Sequence, residues 1–325
     1  MQGKEASEQE TLNCTVGIDV SKTWLDAHAL PSSASLRVAN AAEGIRKLKR
    51  WLLRHKPKLV AVEATGKWHR ELCRSLQASQ IAVAITDPYR VRMFAKAQGN
   101  FAKTDRLDAK VLAQFAAVMA PACRAPTPQA LEMLKELVTA RCSAVAEETA
   151  LKNQLVAAES TFLKRQLTHR ITRLAADIKA LERESLRRIR ADEGLAKRYT
   201  ILTSIPGFGT VVATTLIACL AELGSLSAKQ IGMLAGLAPM ADDSGERHGL
   251  RVIWGGRAAV RRILYLAALT ASQRNLDMKA FYRRLIAKGK PAKVALIAVA
   301  RKLVLLANTL VAENRTWQQK APQHA

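Results

Sequence analysis

Residues 129–193 contain neither proline nor glycine, the two residues that interrupt helices most strongly. Within this run of 65 residues, five apolar side chains follow one another at steps of four and three, namely Leu167, Ile171, Leu174, Ile178 and Leu181. That spacing is typical of the a and d positions of a coiled coil, so we expect long helices here, at least partly in a coiled coil. Two heptads do not decide whether the seam pairs within one chain or with another subunit, and we favour another subunit.

The first 120 residues alternate between the patterns of strands and helices. Apolar runs at 15–21, 58–65 and 81–87 predict strands, and the closely spaced segments WLDAHAL and SLRVAN predict an antiparallel meander. Helical periodicity appears in EGIRKLKRWLLRH, around 68–79 and from Asp105 to about Met119, with Thr104 as the expected N-cap. The predicted order is three strands, a helix, a strand, a helix, a strand and further helices, which indicates a mixed α/β domain.

Prolines mark the boundary between this region and the long helical one, at Pro121, Pro126 and Pro128. A third region, again helical, begins near Tyr199 and contains the glycine-rich turns SIPGFG, LAGLAP and VIWGGR. We expect an α/β domain over 12–122, a helical or coiled-coil assembly region over 127–196 and a mostly α-helical domain over 197–312. A chain of 325 residues is long enough for two or three domains.

The charge balance indicates a polyanionic partner. The chain carries 51 Lys and Arg against 27 Asp and Glu, a formal net charge of +24, and nucleic acid is the expected partner of so basic a protein. No run of 18 apolar residues occurs, because Arg301 and Lys302 interrupt the longest candidate, ALIAVARKLVLLANTLVA. The first residues, MQGKEASEQETLN, lack an apolar signal core, so we expect a cytoplasmic protein with no membrane partner.

The cysteines do not suggest a structural metal or a disulfide framework. The five cysteines form no CxxC pair and no close cluster with histidine. Free thiols in a reducing compartment are therefore the simplest interpretation.

Four acidic residues stand out in this basic chain. Asp19 and Glu63 lie late in predicted apolar strands, where an unpartnered carboxylate is unfavourable, and Asp105 and Asp108 lie one turn apart at a predicted helix start. Taken singly, each could be a solvated strand end or a carboxylate that suits the helix dipole. Adjacent strands with the helix packed across them would instead gather all four into a site for Mg²⁺ or Mn²⁺. We favour the metal site.

The C-terminal region is the most basic part of the chain. Between His248 and Lys302 there are thirteen Lys and Arg and one acid, Asp277. The residues that we expect to bind nucleic-acid phosphates are Arg251, Arg257, Arg261, Arg262, Lys290 and Lys293. The alternative is a solvated basic surface. For the neighbouring Trp254 and Tyr265 we favour burial in the core over stacking on bases.

The segment SIPGFG resembles the turn of a helix-hairpin-helix element, whose backbone N–H groups hold a nucleic-acid phosphate. Gly207 and Gly209 would permit the close approach of the backbone. An ordinary tight turn between two helices is the alternative.

A GIDVS strand, a VEATG strand end and a KTDxxDA helix, in this order, resemble the DEDD transposases of insertion sequences, the IS110 (IS-one-ten) family, which includes DNA invertases of the Piv type. The segments SIPGFGTVVATTLIACLAEL and LAGLAPMADDSGERHG resemble the C-terminal transposase domain of the same family. The likeness covers about residues 12–312. It implies a ribonuclease H-like, RuvC-like N-terminal domain in which Asp19, Glu63, Asp105 and Asp108 form the DEDD tetrad.

The resemblance also implies a nucleophile. Ser244 matches the serine that is proposed to attack DNA in this family, although a Ser-Gly pair in a polar loop would by itself indicate only a turn. A phosphoserine link would conserve the energy of the broken phosphodiester, so rejoining would need no ATP. In agreement, the chain contains no GxxxxGKS or GxxxxGKT phosphate-binding loop. Asp242, Asp243 and Glu246 flank the serine, and we expect them to solvate its loop.

The family resemblance implies donor and target DNA as substrates, a structured bridge RNA as guide, and a dimer or tetramer. The predicted function is therefore that of an insertion-sequence transposase or site-specific recombinase. A metal-dependent junction nuclease that does not use Ser244 is one alternative, and a non-enzymatic DNA-organising protein is the other.

Overall fold

The computed structural model of the protein describes residues 14–318, except 65, 100–104, 124, 126, 241–242, 244–248 and 250, and it describes the backbone alone at 105–107. The chain divides into two compact units, Met1–Thr127 and Pro128–Ala325. The helical segment predicted as a separate assembly region lies in the second unit, together with the C-terminal helices. The division into three domains stays a prediction.

The N-terminal unit is built on one five-stranded sheet. Its elements are β1 (Thr15–Val20), β2 (Trp24–Leu30), β3 (Ser35–Ala39), α1 (Ala42–His55), β4 (Leu59–Glu63), α2 (His69–Gln77), β5 (Val83–Thr86), α3 (Pro88–Ala97) and α4 (Asp105–Met119). The strand order is β3-β2-β1-β4-β5. The first three strands are antiparallel neighbours, and β1, β4 and β5 run parallel. This mixed sheet agrees with the expected ribonuclease H-like fold and with the predicted order of elements.

The two faces of the sheet are separated by the alternation of side chains along β1. Val16 and Ile18 point to one face, where they join the buried cluster that includes Ile45 and Leu48 of α1. Residues of the opposite parity point towards α4, since the Thr15 hydroxyl donates a hydrogen bond of 3.1 Å to the carbonyl of Ala113. The central strand is therefore covered on both sides.

Helix α3 is the one described element of this unit that the sequence patterns did not predict. Pro88 directly follows the predicted strand 81–87, and it is the first residue of the helix. Proline suits this position because its fixed φ is already helical and its missing N–H is not needed there. The Asp87 carboxylate caps the helix by accepting a hydrogen bond of 2.8 Å from the backbone N–H of Tyr89.

The proline-free segment forms an antiparallel hairpin of two long helices, α5 (Gln129–Ala157) and α6 (Thr161–Arg190). Two ion pairs show that the helices run in opposite directions, because Arg141 pairs with Glu182 and Glu147, further along α5, pairs with the earlier Arg170 of α6. The predicted seam lies on the inner side of this hairpin, where Leu167, Ile171 and Leu174 pack in one cluster with residues of α5. The long helices are confirmed, and their partner is within the chain because a connection of three residues turns α6 back onto α5. Coiled-coil geometry and contact with another subunit stay predictions.

The remaining helices of the second unit surround one large apolar core. They are α7 (Glu193–Thr203), α8 (Thr210–Cys219), α9 (Ala228–Leu234), α10 (Ala258–Arg274), α11 (Leu276–Ala287) and α12 (Ala292–Ala312). Two short strands, β6 (Pro239–Met240) and β7 (Val252–Ile253), pair antiparallel between α9 and α10. Leu216, Leu264 and Leu303, from three different helices, are completely buried in this core.

Helix α12 is long and apolar enough, by composition alone, to cross a membrane. Half of its most apolar window is buried inside the protein, and Val299, Leu303 and Ala307 are inaccessible to solvent. Among the described residues it is the one helix that meets this test, and its packing is that of a core helix.

Candidate active site and nucleic-acid interface

Asp19 and Glu63 lie at the same edge of the sheet. Ile18 is the partner of Val62 in the parallel pairing of β1 with β4, and each acid is the next residue along its strand. Since Ile18 and Val62 both point into the core on the α1 side, Asp19 and Glu63 both point to the opposite face. Both are partly exposed. The register therefore places the two acids at neighbouring positions near the ends of adjacent strands.

Helix α4 crosses this face in close contact with β1. A Cβ added at Gly17 would lie 2.7 Å from the Leu112 Cβ, and closer still to the Ala109 carbonyl oxygen and the Ala113 nitrogen. Thr15 contacts Ala113, whereas Gly17, further along the strand, reaches back to Ala109, so α4 runs antiparallel to β1. The N-terminal turn of α4 therefore lies at the same edge as Asp19 and Glu63.

Asp108 and Asp105 belong to that turn. Asp108 is partly buried and lies one helical turn before Leu112, on the side that faces the sheet. Asp105 is the first residue of α4, one turn before Ala109, but its side chain is outside the described part of the structure, as is the whole of Thr104. Among the described side chains, no three Asp, Glu, His or Cys groups lie close enough together to hold a metal ion.

A further carboxylate, which the sequence patterns did not identify, lies beside Asp19. Asp26 of β2 is the direct antiparallel partner of Asp19, and it is buried, with 6% of its surface exposed. Its carboxylate pairs with Arg37 of β3 at 3.6 Å. The signal was present in WLDAHAL, where polar residues at alternate positions of a strand mark one face.

His28 continues the same row on β2. It is the register partner of Gly17, and its Nδ1 lies 2.8 Å from the Ser35 hydroxyl. Burial, and secondly the positive charge of Lys110 on α4, lower the pKa of His28 below its ordinary value. Both effects favour the neutral imidazole. The buried Nε2 atom has no hydrogen-bond partner among the residues that the structure describes.

The loop that contains Ser244 connects β6 to β7, and Ser244, Asp242 and Glu246 lie outside the described residues. Asp243 is described. We expected it only to solvate the loop, but it also makes contacts within the loop. Its carboxylate accepts a hydrogen bond from the Gly249 N–H at 3.1 Å and pairs with Arg251 at 2.7 Å. The residue beside the candidate serine is therefore fixed to the far side of the same loop.

Three of the predicted phosphate-binding arginines make contacts within the protein. Arg251 pairs with Asp243, as described, with half of its side chain exposed. Arg257 forms a two-pronged ion pair with Glu222, with N···O distances of 2.6 and 2.7 Å. Arg261 donates a hydrogen bond of 2.6 Å to the carbonyl of Gly255. Their binding of nucleic acid stays a prediction, and each also holds a turn or loop in place.

The other three predicted cations lie open on the surface. Arg262, Lys290 and Lys293 are exposed, and no ion pair engages them among the described residues. The expectation that Trp254 lies in the core is wrong, because 61% of its surface is exposed. It follows β7 and, with Gly255 and Gly256, borders a cavity of about 150 Å³ also lined by Met233. Tyr265 is partly buried against the core, as expected.

The glycines of SIPGFG occupy the turn between α7 and α8. Gly207 has a φ of +107° and lies against α10, where an added Cβ would be 2.8 Å from the Ala271 Cβ. Gly209 caps the start of α8, is exposed and has open space beside it. Gly207 is therefore required by packing, whereas Gly209 has no side chain that would cover the N-terminus of α8.

Comparison with known proteins gives matches in both units. A family model described as a transposase, DEDD_Tnp_IS110, matches residues 16–162, and a second, described as "Transposase IS116/IS110/IS902 family", matches residues 199–283. The pilin gene-inverting protein of Moraxella bovis is 26% identical over 319 residues, which cover 94% of this chain and 98% of that protein. An uncharacterized 44.8 kDa protein of insertion element IS116 from Streptomyces clavuligerus is 29% identical over 165 residues, or 50% of this chain and 40% of that protein.

The two matched segments include all four acids and the candidate serine, in the order that the motifs predicted. The DEDD model matches the unit with the mixed sheet, and the second transposase model matches the helical unit. Both units therefore match models of the same family. The chain thus belongs to the IS110 family of transposases and recombinases and is an enzyme that cleaves and rejoins DNA strands.

Proposed function

We propose that this enzyme cuts DNA by forming a phosphoserine link through Ser244, with a divalent cation held by Asp19, Glu63, Asp105 and Asp108. The observation that carries the proposal is the position of α4, whose acidic first turn lies at the sheet edge where Asp19 and Glu63 lie near the ends of β1 and β4. Carboxylate oxygens from three elements are the donors that Mg²⁺ or Mn²⁺ prefers. When bound, such a cation would stabilise the negative charge that develops on the phosphate.

The proposed step conserves atoms and charge. The Ser244 Oγ forms a bond to phosphorus while a P–O bond to the sugar breaks, and the hydroxyl proton passes to the released sugar oxygen. Rejoining is the reverse reaction, in which a sugar hydroxyl attacks the phosphoserine and releases the serine. The link between Asp243, Gly249 and Arg251 supports this role, because it fixes the residue next to the nucleophile.

Nucleic acid would be held by the open cations of the second unit. We propose that Arg262, Lys290 and Lys293 bind phosphates, and that the backbone amides at the start of α8, where Gly209 is exposed, hold a further phosphate. The charge of +24 suits an enzyme that holds several nucleic-acid strands at once, which supports donor DNA, target DNA and a guiding bridge RNA. Strand exchange between two duplexes requires more than one active site, so the working form would be a dimer or tetramer.

Trapping of the covalent intermediate tests the proposal. The protein is incubated with Mg²⁺ and a DNA duplex that carries the element junction and a nick near the cleavage site, and the products are separated on a denaturing gel. A protein–DNA adduct is expected with the unchanged enzyme and with Ser225→Ala, which removes an exposed serine of the same unit. Ser244→Ala should lose the adduct and the cut. A Ser244→Ala variant that still cleaves would identify a metal-dependent nuclease instead.

The carboxylates require a separate test. Asp108→Asn should abolish formation of the adduct at every Mg²⁺ concentration while leaving the affinity for DNA nearly unchanged, because the variant keeps its size and loses only the charge that would hold the cation. Binding measured in EDTA supplies the affinity. A protein that bends or bridges DNA without any metal dependence, and does so equally well after the Asp108→Asn substitution, would be a DNA-organising protein.

A further inference from the structure

Two tryptophans of the N-terminal unit are exposed beside the loops that follow the candidate cation ligands. Trp24, at the start of β2, exposes 44% of its surface, and Trp68, just before α2, exposes 37%. A tryptophan ring has a large apolar face that can stack on another planar ring. Exposed aromatic rings next to basic residues are typical of surfaces that stack nucleic-acid bases.

Both rings lie beneath positive charges. The ammonium groups of Lys22 and Lys67 are 5.9 and 5.3 Å from the centre of the Trp68 ring. The guanidinium of Arg37 is 5.2 Å from the centre of the Trp24 ring. In the described part of the chain, no carboxylate forms an ion pair with Lys22 or Lys67. Their charges are therefore available to phosphates on either side of a stacked base.

Asn40 ties the segments that carry these rings together. Its side-chain amide donates hydrogen bonds to the carbonyls of Ser21, at 2.8 Å, and of Trp68, at 3.3 Å. Its backbone N–H donates to the carbonyl of Thr23 at 2.9 Å. The turn between β1 and β2 and the loop after β4 are thus held side by side, although they are distant in sequence.

These segments continue directly from the candidate ligands. Ser21 follows Asp19 by two residues, and Trp68 follows Glu63 by five. Asp26, the register partner of Asp19, pairs with the same Arg37 that stacks on Trp24. A DNA strand whose phosphate lies at Asp19 and Glu63 would therefore pass close to the two rings.

We propose that Trp24 and Trp68, with Lys22, Lys67 and Arg37, form a stacking surface for unpaired bases of the DNA strand next to the cleaved phosphate. The proposal rests on the proposed function only in that it places the scissile phosphate at the acidic edge. In an intact duplex the faces of the bases are covered by their neighbours, so an indole cannot stack on them without opening the helix. The surface is accordingly suited to DNA that is already unpaired at the site of strand exchange.

Binding of gapped DNA measures this surface without any cleavage. In EDTA, the affinity of the full-length protein is determined by fluorescence anisotropy for an intact duplex and for the same duplex with a gap of about five nucleotides. A base–aromatic stack contributes about 1–3 kcal/mol, so Trp68→Ala should raise the Kd for gapped DNA about 5- to 160-fold. Trp24→Ala should act in the same direction. The Kd for intact duplex should change less than about twofold.

Matched variants and a reporter base separate stacking from general damage. Trp68→Phe should keep most of the affinity because it keeps a ring, and Phe162→Ala, which removes an exposed ring stacked under Arg165 in the other unit, should have no effect. A 2-aminopurine placed in the gap should be quenched by the unchanged protein and by Phe162→Ala, but much less by Trp68→Ala. Circular dichroism confirms that each variant is folded.

The outcomes that overturn the proposal are distinct from those that overturn the serine mechanism. Equal losses for gapped and intact DNA, or no loss in either tryptophan variant, would show that the rings do not stack on unpaired bases. A loss confined to a single-stranded RNA of the same sequence would assign the surface to RNA and refute its assignment to DNA. All of these measurements are made with Ser244 in place and without metal, so a failure of the covalent-adduct test leaves them unaffected.

Discussion

Replacement of Gly17 by alanine should lower the rate of DNA cleavage in a protein that is still folded, because this glycine sets the distance between β1 and α4. Of the three atoms nearest to an added Cβ, the most distant is the Leu112 Cβ at 2.7 Å, whereas ordinary van der Waals contact begins at 3.4 Å. The helix must therefore move away by at least about 0.7 Å, and by more at Ala109, whose carbonyl oxygen is nearer. Overpacking of this kind costs about 1–3 kcal/mol, and the upper end applies here because backbone meets backbone.

The displacement bears directly on the candidate site. Asp105 and Asp108 move with α4, whereas Asp19 and Glu63 stay with the sheet, so the four carboxylates lose their mutual alignment. A misplacement of about 1 Å at a catalytic centre can lower the rate about 100-fold. We expect Gly17→Ala to lower the single-turnover rate of DNA cleavage by about this factor at a temperature at which the protein is still folded.

Leu48→Ala is the matched control. Leu48 is completely buried on the opposite face of the same sheet, and the loss of such a side chain costs about 2–5 kcal/mol. Denaturant unfolding, followed by circular dichroism, should show similar losses of stability in the two variants, and cleavage should be nearly normal in Leu48→Ala. The reasoning is refuted if Gly17→Ala cleaves at the unchanged rate, or if Leu48→Ala loses as much activity.

Three further predictions concern other parts of the chain. Because the pKa of His28 is lowered on folding, protonation favours the unfolded chain. The free energy of unfolding should therefore fall as the pH drops below about 6.5, by at most about 1.4 kcal/mol per pH unit. A His28→Asn variant should show a smaller decrease in urea titrations over the same pH range. Cys123 is exposed, whereas burial raises the pKa of Cys73 to about 12, so a maleimide should label Cys123 in the native protein and Cys73 only after unfolding, as mass spectrometry of peptides would show. Asp243→Asn weakens the link to Arg251 and should slow formation of the covalent adduct about 10-fold with little change in the affinity for DNA, whereas an unchanged rate would show that the link does not position the serine loop.

Much of the N-terminal unit could be predicted from the sequence because its signals are local. The apolar runs around Asp19 and Glu63 fix two buried strands, and an acid at the end of each is visible in the printed chain. The order of elements then suffices to place both at one edge. The role of Gly17 could not be predicted, because only the packed structure shows which helix approaches it and how closely.

The predictions were weakest for side chains that can contact either another part of the protein or a ligand, because the sequence does not show which contact forms. Arg257 is indistinguishable in the sequence from the exposed Arg262, yet it is held by Glu222, a residue 35 positions away. The heptad pattern of α6 likewise specifies an apolar stripe but not its partner, since α5 offers the same kind of surface. Trp254 was misplaced because a large aromatic residue in a helical region is usually buried, whereas this one follows a two-residue strand.

Helix α12 also matters for the order in which the nascent chain can fold. Its buried side chains complete the core that α8 and α10 share, so ribosomes must finish this segment before the second unit can close. A chain that is truncated before residue 292 would expose the apolar side chains of this core to solvent. Such a chain would be recognised by chaperones and proteases. Truncated products would therefore be cleared instead of accumulating as half-competent recombinases.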